Sequence, residues 1–522
     1  MDTASDGSEH LDHRGNTRLD QACSNTFSFR EVIEWQGALL KSLSSGNNTI
    51  ILAAHLLARV TFKSSPRVGK DRGLSAVACS YIAQELTESC PSTAEEWRDV
   101  SGVQGDLPPA IVNILHTFGG NVLVKTSFDY IKAASVTPII KRLAEEAICL
   151  CLPSAEFHVI CPEKMARGAI SLVLKDGSAS PESDLVHYLC IPQASTSSTL
   201  TFILKNHRRH PCFYECVKDL SKYSPSLSSP AMKQRDLHIP PAAVEVAGGA
   251  FAWVCKVQDD RGELVAVKLP KEASIRPAVL EIAVMTLLDH ENVQGIRGFS
   301  SRRNGTICFW MDLALGSLQR EIYQKRSEYS PTHRDAWIHG TPGVFEKIPK
   351  RARLSYAAQV AAALKHMHSH GVIHCDLKPA NVLIYPDDVV KVCDFGISIP
   401  YMMKGCLHTT DFDVCTTTHK DINLLAPKTA GFSFEVDIWS LGMMMAEMET
   451  GCNPLYEIES RDEDKLLLEV EAILHCTMGN EFSERTLRCV KDEKTRTVIK
   501  RCLDYNRETR ITAGELAEVL GR

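Results

Sequence analysis

The chain has 522 residues, of which 44% are hydrophobic and 23% charged. This composition is typical of globular proteins, and the length is sufficient for several domains. The formal net charge is -6, from 58 basic and 64 acidic side chains, so no strong basic field draws the chain to nucleic acid or to an anionic membrane. We therefore expect no nucleic-acid partner and no membrane partner.

The amino-terminal tail predicts an intracellular protein. Residues 1–26 are polar and poor in aromatic side chains, which favours disorder. They lack the basic and apolar regions of a signal peptide. The 19 cysteines follow no disulfide-scaffold spacing. We interpret them as reduced thiols of a protein in the nucleus, the cytoplasm or both.

Residues 27–223 predict an all-α region, because apolar side chains recur there at helical spacing. The pattern is clearest over residues 49–60 and 74–88. Gly, Pro, Ser and Asn residues separate the predicted helices, at 44–47, 66, 91, 108–109 and 119–120. The stretch 49–60 is short and contains His55 and Arg59, which predicts a core helix rather than a membrane span.

A cluster of potential zinc ligands lies near the end of this region, at His207, His210, Cys212 and Cys216. Four such side chains could bind zinc. Their spacing matches no common zinc-finger pattern, and two aromatic residues interrupt it. We favour the interpretation without metal.

A predicted linker follows, and after it the pattern of apolar residues changes. Residues 224–241 are rich in Ser and Pro, as linkers are. Short β-like runs then occur at 252–257 and 264–268, and long helical patterns begin at residue 353. The expected fold class is α+β, with a helical amino-terminal domain followed by a small β-rich lobe and a larger helical lobe.

Two motifs in the second half carry specific chemistry. Residues 374–381 (HCDLKPAN) and 394–396 (DFG) closely resemble the catalytic loop and magnesium motif of serine/threonine protein kinases. The resemblance implies that Asp376 accepts the proton of the attacking hydroxyl and that Lys378 binds the γ-phosphate. It also implies that Asn381 and Asp394 hold Mg²⁺ against the phosphates of ATP.

Further kinase-like motifs occur in the expected order. Residues 265–268 (VAVK) supply Lys268 for the α- and β-phosphates, and Glu281 follows as its ion-pair partner on a helix predicted to continue to residues 290–293. Residues 311–314 resemble the hinge that binds adenine, and Asp437 resembles the aspartate that fixes the catalytic loop. The resemblance implies nucleotide contacts at Gly248, Gly249, Val254, Ala266, Lys268, Asp312, Ala314, Asn381 and Asp394.

Two segments depart from the kinase pattern or imitate it. Residues 247–254 (AGGAFAWV) replace the usual glycine-rich loop, and Ala247 and Ala252 add methyl groups where backbone approaches phosphate. Residues 333–335 (HRD) spell the usual catalytic triplet. They lie in a hydrophilic insertion, 323–350, and lack the following motif, so we interpret them as a surface loop.

Residues 435–448 and 504–513 resemble cyclin-dependent kinases in particular. With that resemblance, residues 29–35, 51–59 and 74–88 resemble the first helices of a cyclin box. The implied domains are a tail (1–26), cyclin-like boxes (27–135 and 136–223), a linker (224–241) and a kinase domain (242–522). The alternative is an unrelated helical domain, since the pattern consists of apolar residues with few polar landmarks.

Several positions lack the residues that the resemblance leads one to expect. The lysine and glutamate that cyclins offer to a kinase are replaced by Glu85 and Ile111, and Ala58 replaces an aspartate. Three arginines that gather an activating phosphothreonine in these kinases are replaced by Leu280, Cys375 and Ile399. Lys428 replaces the glutamate of Ala-Pro-Glu, so we expect Arg510 to lose its ion-pair partner.

These observations predict an ATP- and Mg²⁺-dependent serine/threonine kinase of cyclin-dependent type that acts on protein substrates. Its own cyclin-like domain would activate it by an intramolecular contact. One alternative is a pseudokinase scaffold that recruits a separate kinase, cyclin or substrate. Another is a cyclin fold that binds nucleic acid, which the acidic net charge disfavours.

Overall fold

The computed structural model describes residues 29–63, 72–88, 91–103, 105–136, 162–174, 244–248, 252–259, 262–271, 276–302, 306–323, 348–400, 432–451 and 490–521, with shorter pieces that include 419, 421, 453–455 and 486–488. The chain forms two compact units, Met1–Met232 and Lys233–Arg522. The predicted tail, the linker and the His/Cys cluster lie outside the described residues.

The first unit is helical in its described part. Its helices are α1 (Phe29–Ser42), α2 (Asn47–Lys63), α3 (Arg72–Thr87), α4 (Ala94–Ser101), α5 (Leu107–Thr117), α6 (Ser127–Ala133) and α7 (Pro162–Leu174). The helices predicted over 49–60 and 74–88 are confirmed as α2 and α3. Helix α3 packs against α1, α2, α4 and α5, so it is the central helix of this unit.

Local signals explain where these helices begin. Thr93 and Glu96 form a reciprocal capping box at the start of α4, which satisfies backbone donors that a helix start leaves unpaired. The buried Trp97 then donates its Nε1–H to Gln84 Oε1 on α3 at 2.9 Å. The prolines at 108–109 lie in the first turn of α5, where a missing N–H costs little. They therefore mark a helix boundary, as predicted.

The second unit begins with a small lobe built on an antiparallel sheet. Its strands are β1 (Val244–Gly248), β2 (Ala252–Gln258), β3 (Leu264–Pro270), β4 (Gly298–Ser301) and β5 (Ile307–Asp312), in the order β1-β2-β3-β5-β4. Helix α8 (Arg276–Leu287) packs on β5. The strands predicted at 252–257 and 264–268 are confirmed.

One prediction for α8 is wrong, because the helix ends at Leu287 instead of continuing to residues 290–293. The loop after it is attached to the large lobe. Asn292 Nδ2 donates to Gln359 Oε1 at 2.9 Å and to the carbonyl of Val390 at 3.0 Å. These bonds require a loop conformation at Asn292, which ends the helical pattern early.

The large lobe is mainly helical. It contains β6 (Gly316–Ser317), α9 (Leu318–Tyr323), α10 (Lys350–Ser369), β7 (Val372–Ile373), β8 (Val382–Ile384), β9 (Val390–Val392), β10 (Ile399–Pro400), α11 (Glu435–Thr450), α12 (Glu493–Cys502) and α13 (Ala513–Leu520). Helix α11 is buried along most of its length and packs against α10 and α12. The triplet at 333–335 lies outside the described residues.

Three histidine rings meet where the loop after α8 contacts α10. The His366 ring lies 4.9 Å from that of His290 and 4.3 Å from that of His370, measured between centroids. Burial lowers the pKa of His366, with a further lowering from the two neighbouring imidazoles and an opposing effect from Asp289. Among the helices that the structure describes, none is both long and apolar enough to cross a bilayer.

Candidate active site

The sheet of the small lobe presents a lysine to two carboxylates. Lys268 lies on β3, between Val254 of β2 and Phe309 of β5 in the strand register. Its Nζ forms an ion pair with Glu281 of α8 and lies 2.7 Å from Asp394 Oδ1. The Glu281 side chain is only 3% exposed. The contact joins the small lobe, through β3 and α8, to the start of the segment that follows β9.

The three charges of this cluster influence one another. Burial alone would lower the pKa of Lys268, but the carboxylates of Glu281 and Asp394 outweigh it and raise that pKa. Burial opposes ionisation of Asp394, yet Lys268 holds the pKa of Asp394 below its ordinary value. Lys268 is therefore cationic and Asp394 ionised. These are the charges that a phosphate-binding lysine and a metal-binding carboxylate would need.

The catalytic loop brings the next three predicted residues together. Lys378 Nζ lies 2.8 Å from Asp376 Oδ2. Asn381 Nδ2 donates to the same carboxylate oxygen at 2.9 Å and to the Asp376 carbonyl at 2.8 Å. These bonds fix the direction of the Asp376 carboxylate. They also occupy the amide nitrogen of Asn381, which leaves its amide oxygen as the atom suited to a cation.

Helix α11 holds the backbone of this loop. Asp437 accepts hydrogen bonds from the backbone N–H of His374 at 2.9 Å and of Cys375 at 3.0 Å, which confirms the prediction for this aspartate. Cys375 has a φ of 66° and Asp394 a φ of 69°, in the left-handed region that non-glycine residues rarely adopt. Such strained residues persist only where neighbours fix them, and they concentrate at functional sites.

Several residues predicted to contact the nucleotide lie on or next to the strands beside Lys268. Ala266 of β3 is buried and is paired in register with Met311 of β5. Asp312 ends β5, and its carboxylate forms an ion pair with Arg297. Ala314 follows two residues later. Gly248 is the last residue of β1, whereas Gly249 lies outside the described residues.

The donor set suits ATP and Mg²⁺. Magnesium prefers oxygen ligands and is usually bound by one or two protein carboxylates together with substrate phosphates. Asp394 and Asn381 would supply such oxygens, and Lys268 and Lys378 would supply positive charge to the phosphates. No group of three or more His, Cys, Asp or Glu side chains in the described part of the chain is arranged to hold a metal ion by itself.

The positions that lack phosphate-binding arginines are buried and uncharged. Leu280 is 6% exposed, and Cys375 and Ile399 are each 1% exposed. Cys375 and Ile399 belong to one apolar cluster, which we call the segment cluster: Ile373, Cys375, Ile399, Phe432 and Val436, with Phe434 packed against it. Both ends of the segment between Asp394 and α11 are thus held by apolar contacts. Thr416, Thr417 and Thr418 lie outside the described residues.

The expectation that Arg510 loses its ion-pair partner is wrong. Its guanidinium forms a fully buried ion pair with Asp421, and Lys428 lies outside the described residues. The kinase pattern did not predict Asp421 as the partner, because Asp421 lies earlier in the chain than the position of the missing glutamate. An acidic residue close before residues 426–427 (AP) was the available signal.

The three positions compared with cyclins in the sequence lie in the first unit. Glu85 is 3% exposed on α3, Ile111 is fully buried on α5, and Ala58 is fully buried on α2. As they stand, these residues face the helical core. A partner that docks on the first unit would have to use other residues.

A small β-rich lobe, a helical lobe and a lysine held between two carboxylates at their junction are features of domains that transfer phosphoryl groups from ATP. The family profile of the protein kinase domain matches residues 243–519. The chain therefore belongs to the protein kinase family.

Similar proteins are serine/threonine and cell division kinases. The chain is 33% identical over 168 residues to a probable cell division protein kinase of Encephalitozoon cuniculi, covering 31% of this chain and 58% of that protein. It is 28% identical over 266 residues to the serine/threonine-protein kinase BCK1/SLK1/SSP31 of Saccharomyces cerevisiae, covering 49% and 16%. It is 25% identical over 228 residues to human mitogen-activated protein kinase kinase kinase 19, covering 41% and 16%. The chain thus spans less than two thirds of each relative.

Proposed function

We propose that the protein transfers the γ-phosphate of ATP to serine or threonine hydroxyls of protein substrates, with Mg²⁺. The observation that carries this proposal is the joint contact of Lys268 with Glu281 and Asp394. In this contact the lysine that we propose binds phosphate lies beside the carboxylate that we propose binds the metal. The second support is the fixed carboxylate of Asp376, which Lys378 and Asn381 hold in the catalytic loop.

The direct test is phosphoryl transfer by the purified full chain with labelled ATP and Mg²⁺. Mixed peptide libraries with serine, threonine or tyrosine as acceptor identify the hydroxyl. Asp394→Asn removes the charged metal ligand and should abolish transfer. Asp388→Asn is the matched control, because that aspartate bonds Tyr356 at 3.0 Å away from the lysine cluster. Equal transfer by the wild type and Asp394→Asn would contradict the proposal.

We further propose that the kinase is of cyclin-dependent type and that its helical unit activates it in cis. The central position of α3 among α1, α2, α4 and α5 supports a cyclin-like arrangement. Similarity to a probable cell division kinase supports the kinase type. The burial of Glu85 and Ile111 requires docking through a surface other than the one that cyclins use.

A cleavable full-length chain tests activation in cis. A specific protease site is introduced within residues 224–241, and the rate is measured before and after cleavage over a range of protein concentrations. A short tether gives an effective concentration near millimolar, so cutting it should make the rate fall on dilution. A rate per molecule that stays constant after cutting and dilution would contradict activation in cis.

A scaffold without catalysis is the second candidate function. The observation that favours it is Ala252 at the start of β2, a methyl-bearing residue in place of a glycine that approaches phosphate. A scaffold would show no phosphoryl transfer, and Ala252→Gly would leave it inactive. In a kinase the same substitution should lower the KM for ATP.

A further inference from the structure

Tyr385 directly follows β8, and only 9% of the residue is exposed. Its hydroxyl contacts two acceptors, the side-chain oxygen of Gln294 and, at 3.1 Å, the backbone carbonyl of Asp312. Gln294 belongs to the loop after α8, and Asp312 is the last residue of β5. A single tyrosine hydroxyl therefore joins the end of β8 to that loop and to the end of β5.

The Tyr385 hydroxyl acts as a donor toward these two oxygens. Burial raises the pKa of Tyr385, so the hydroxyl keeps its proton. The Lys391 ammonium lies 5.1 Å from the centroid of the Tyr385 ring, a cation–π contact that favours the observed ring position. A hydroxyl carries one proton, so Gln294 and Asp312 share it. The tyrosine thus supplies a hydrogen-bond donor to the Asp312 carbonyl.

The side chain of Asp312 is already engaged on the protein surface. Its carboxylate forms an ion pair with Arg297, and Arg297 also lies 2.7 Å from the Glu263 carboxylate. The backbone is therefore the part of Asp312 that remains for a nucleotide. A backbone carbonyl has two lone pairs, so it can accept from Tyr385 and from an amine of the nucleotide base at the same time.

The other side of the predicted hinge is also held at the end of β8. The Leu315 N–H donates to the carbonyl of Ile384, the residue before Tyr385, at 2.9 Å. The Tyr385 N–H donates to the Val389 carbonyl at 2.8 Å and closes the turn that leads to β9. The predicted hinge is thus fixed on both sides, by a side chain at Asp312 and by backbone at Leu315.

We propose that Tyr385 is a positioning residue for the adenine base of ATP. Its hydroxyl orients the Asp312 carbonyl, and this carbonyl accepts the exocyclic amine of adenine. The kinase resemblance predicts nucleotide contacts at Asp312 and Ala314 and assigns no role to the residue after β8. The inference rests on the proposed function, because an adenine site is required only in a protein that uses ATP.

Nucleotide affinity of the full-length Tyr385→Phe variant tests the proposal. The substitution keeps the ring and removes the hydroxyl alone. We expect the Kd for ATP with Mg²⁺, measured by calorimetry, to rise about fivefold, which is the size of one hydrogen bond. The Kd for purine riboside triphosphate, which lacks the exocyclic amine, should stay within about twofold of its wild-type value. An unchanged Kd for ATP, or an equal rise for both nucleotides, would overturn the proposal.

The matched control is Tyr356→Phe. It also removes the hydroxyl of a buried tyrosine, but that hydroxyl bonds Asp388 at 3.0 Å and not the predicted hinge. Its Kd for ATP should equal that of the wild type. The two nucleotides are compared within one protein, so a loss of stability in Tyr385→Phe would weaken both and would not imitate the expected difference.

Steady-state kinetics separate this inference from the proposed function. Tyr385→Phe should raise the KM for ATP about fivefold and leave kcat within about twofold, because a contribution to binding alone is lost. If the wild type binds ATP but transfers no phosphate, the proposed function fails, and the two Kd values still decide on Tyr385. If the wild type binds no ATP, or if kcat falls while the KM for ATP is unchanged, the positioning role is wrong.

Discussion

The catalytic loop is held by hydrogen bonds to polar and charged side chains, whereas the ends of the following segment are held by the apolar segment cluster. Asp437 binds the loop backbone, and Asn381 and Lys378 fix the Asp376 carboxylate. The segment ends pack instead through Ile399 and Phe432. The two regions adjoin at Cys375, whose backbone belongs to the first and whose side chain belongs to the second.

The difference shows which parts of a kinase site can be replaced. Phosphoryl transfer requires particular atoms, namely an acceptor for the proton, oxygens for the metal and cations for the phosphates. No apolar residue supplies them, and the residues that we propose for these roles are present in the catalytic loop and at Lys268 and Asp394. Holding a segment requires only sufficient free energy from packing or ion pairs. The three arginines and the glutamate expected from the kinase pattern are absent from this chain. The apolar segment cluster and the ion pair between Arg510 and Asp421 hold the segment instead.

The largest expected effect concerns the atoms that carry the chemistry. Asp376→Asn removes the proposed proton acceptor, and Lys268→Met removes the cation between Glu281 and Asp394. Each should lower the rate at saturating ATP by at least about a hundredfold, as losses of general-base and positioning groups do. The measurement is phosphate incorporation into a serine/threonine peptide. Retention of the wild-type rate in both variants would indicate a contaminating kinase.

A smaller effect is expected in the segment cluster. Phe432→Ala leaves a cavity beside Cys375 and should destabilise the domain by about 3–5 kcal/mol. We expect the rate to fall by about tenfold at a temperature where the domain remains folded, because the segment end is released from the catalytic loop. Phe432→Leu nearly conserves volume and should retain most of the rate. A wild-type rate in folded Phe432→Ala would show that the cluster does not position the segment.

A still smaller effect is expected at the threonines where an activating phosphate would lie. Leu280, Cys375 and Ile399 supply no cation to such a phosphate. Replacement of Thr416, Thr417 and Thr418 by alanine should leave the rate within about threefold, a difference under about 1 kcal/mol. Collapse of the rate, with partial rescue by acidic residues, would contradict this and would reveal a phosphate partner elsewhere.

The smallest effect concerns the cluster of His290, His366 and His370, where the loop after α8 contacts α10. The pKa of His366 lies below its unfolded value of about 6.5, so the folded state favours the neutral ring. This contribution to stability is present above pH 6.5 and is lost as the pH falls through the folded pKa. His366→Gln should flatten the decline of the thermal midpoint between pH 7.5 and 5.5 by about 1–2 °C. His13→Gln is the control, and equal slopes in all three proteins would rule out this role.

The sequence was sufficient for features that depend on neighbouring residues. Helical spacing identified α2 and α3, and short β-branched runs identified β2 and β3. The order of the kinase motifs in the sequence identified Lys268 and its two partners, Glu281 and Asp394. These patterns are local, so one stretch of chain contains the whole signal.

Features that depend on distant packing could not be predicted in the same way. The end of α8 at Leu287 follows from bonds between Asn292 and the large lobe. The partner of Arg510 depends on the path of the segment that carries Asp421, 89 residues earlier in the chain. The missing arginines predicted that an activating phosphate would find no arginine partner. The apolar cluster around Cys375 could not be predicted, because it also requires Phe432 and Val436, which are distant in the chain.

The segment cluster also affects how the protein could be switched off. A phosphate held by arginines is reversible, because one hydrolytic step by a phosphatase removes it. Ile373, Ile399, Phe432 and Val436 carry no group that an enzyme could remove. The two ends of the segment, Ile399 and Phe432, stay packed for as long as the domain stays folded. Hydrolysis of a phosphate elsewhere in the chain would therefore leave these two ends in place.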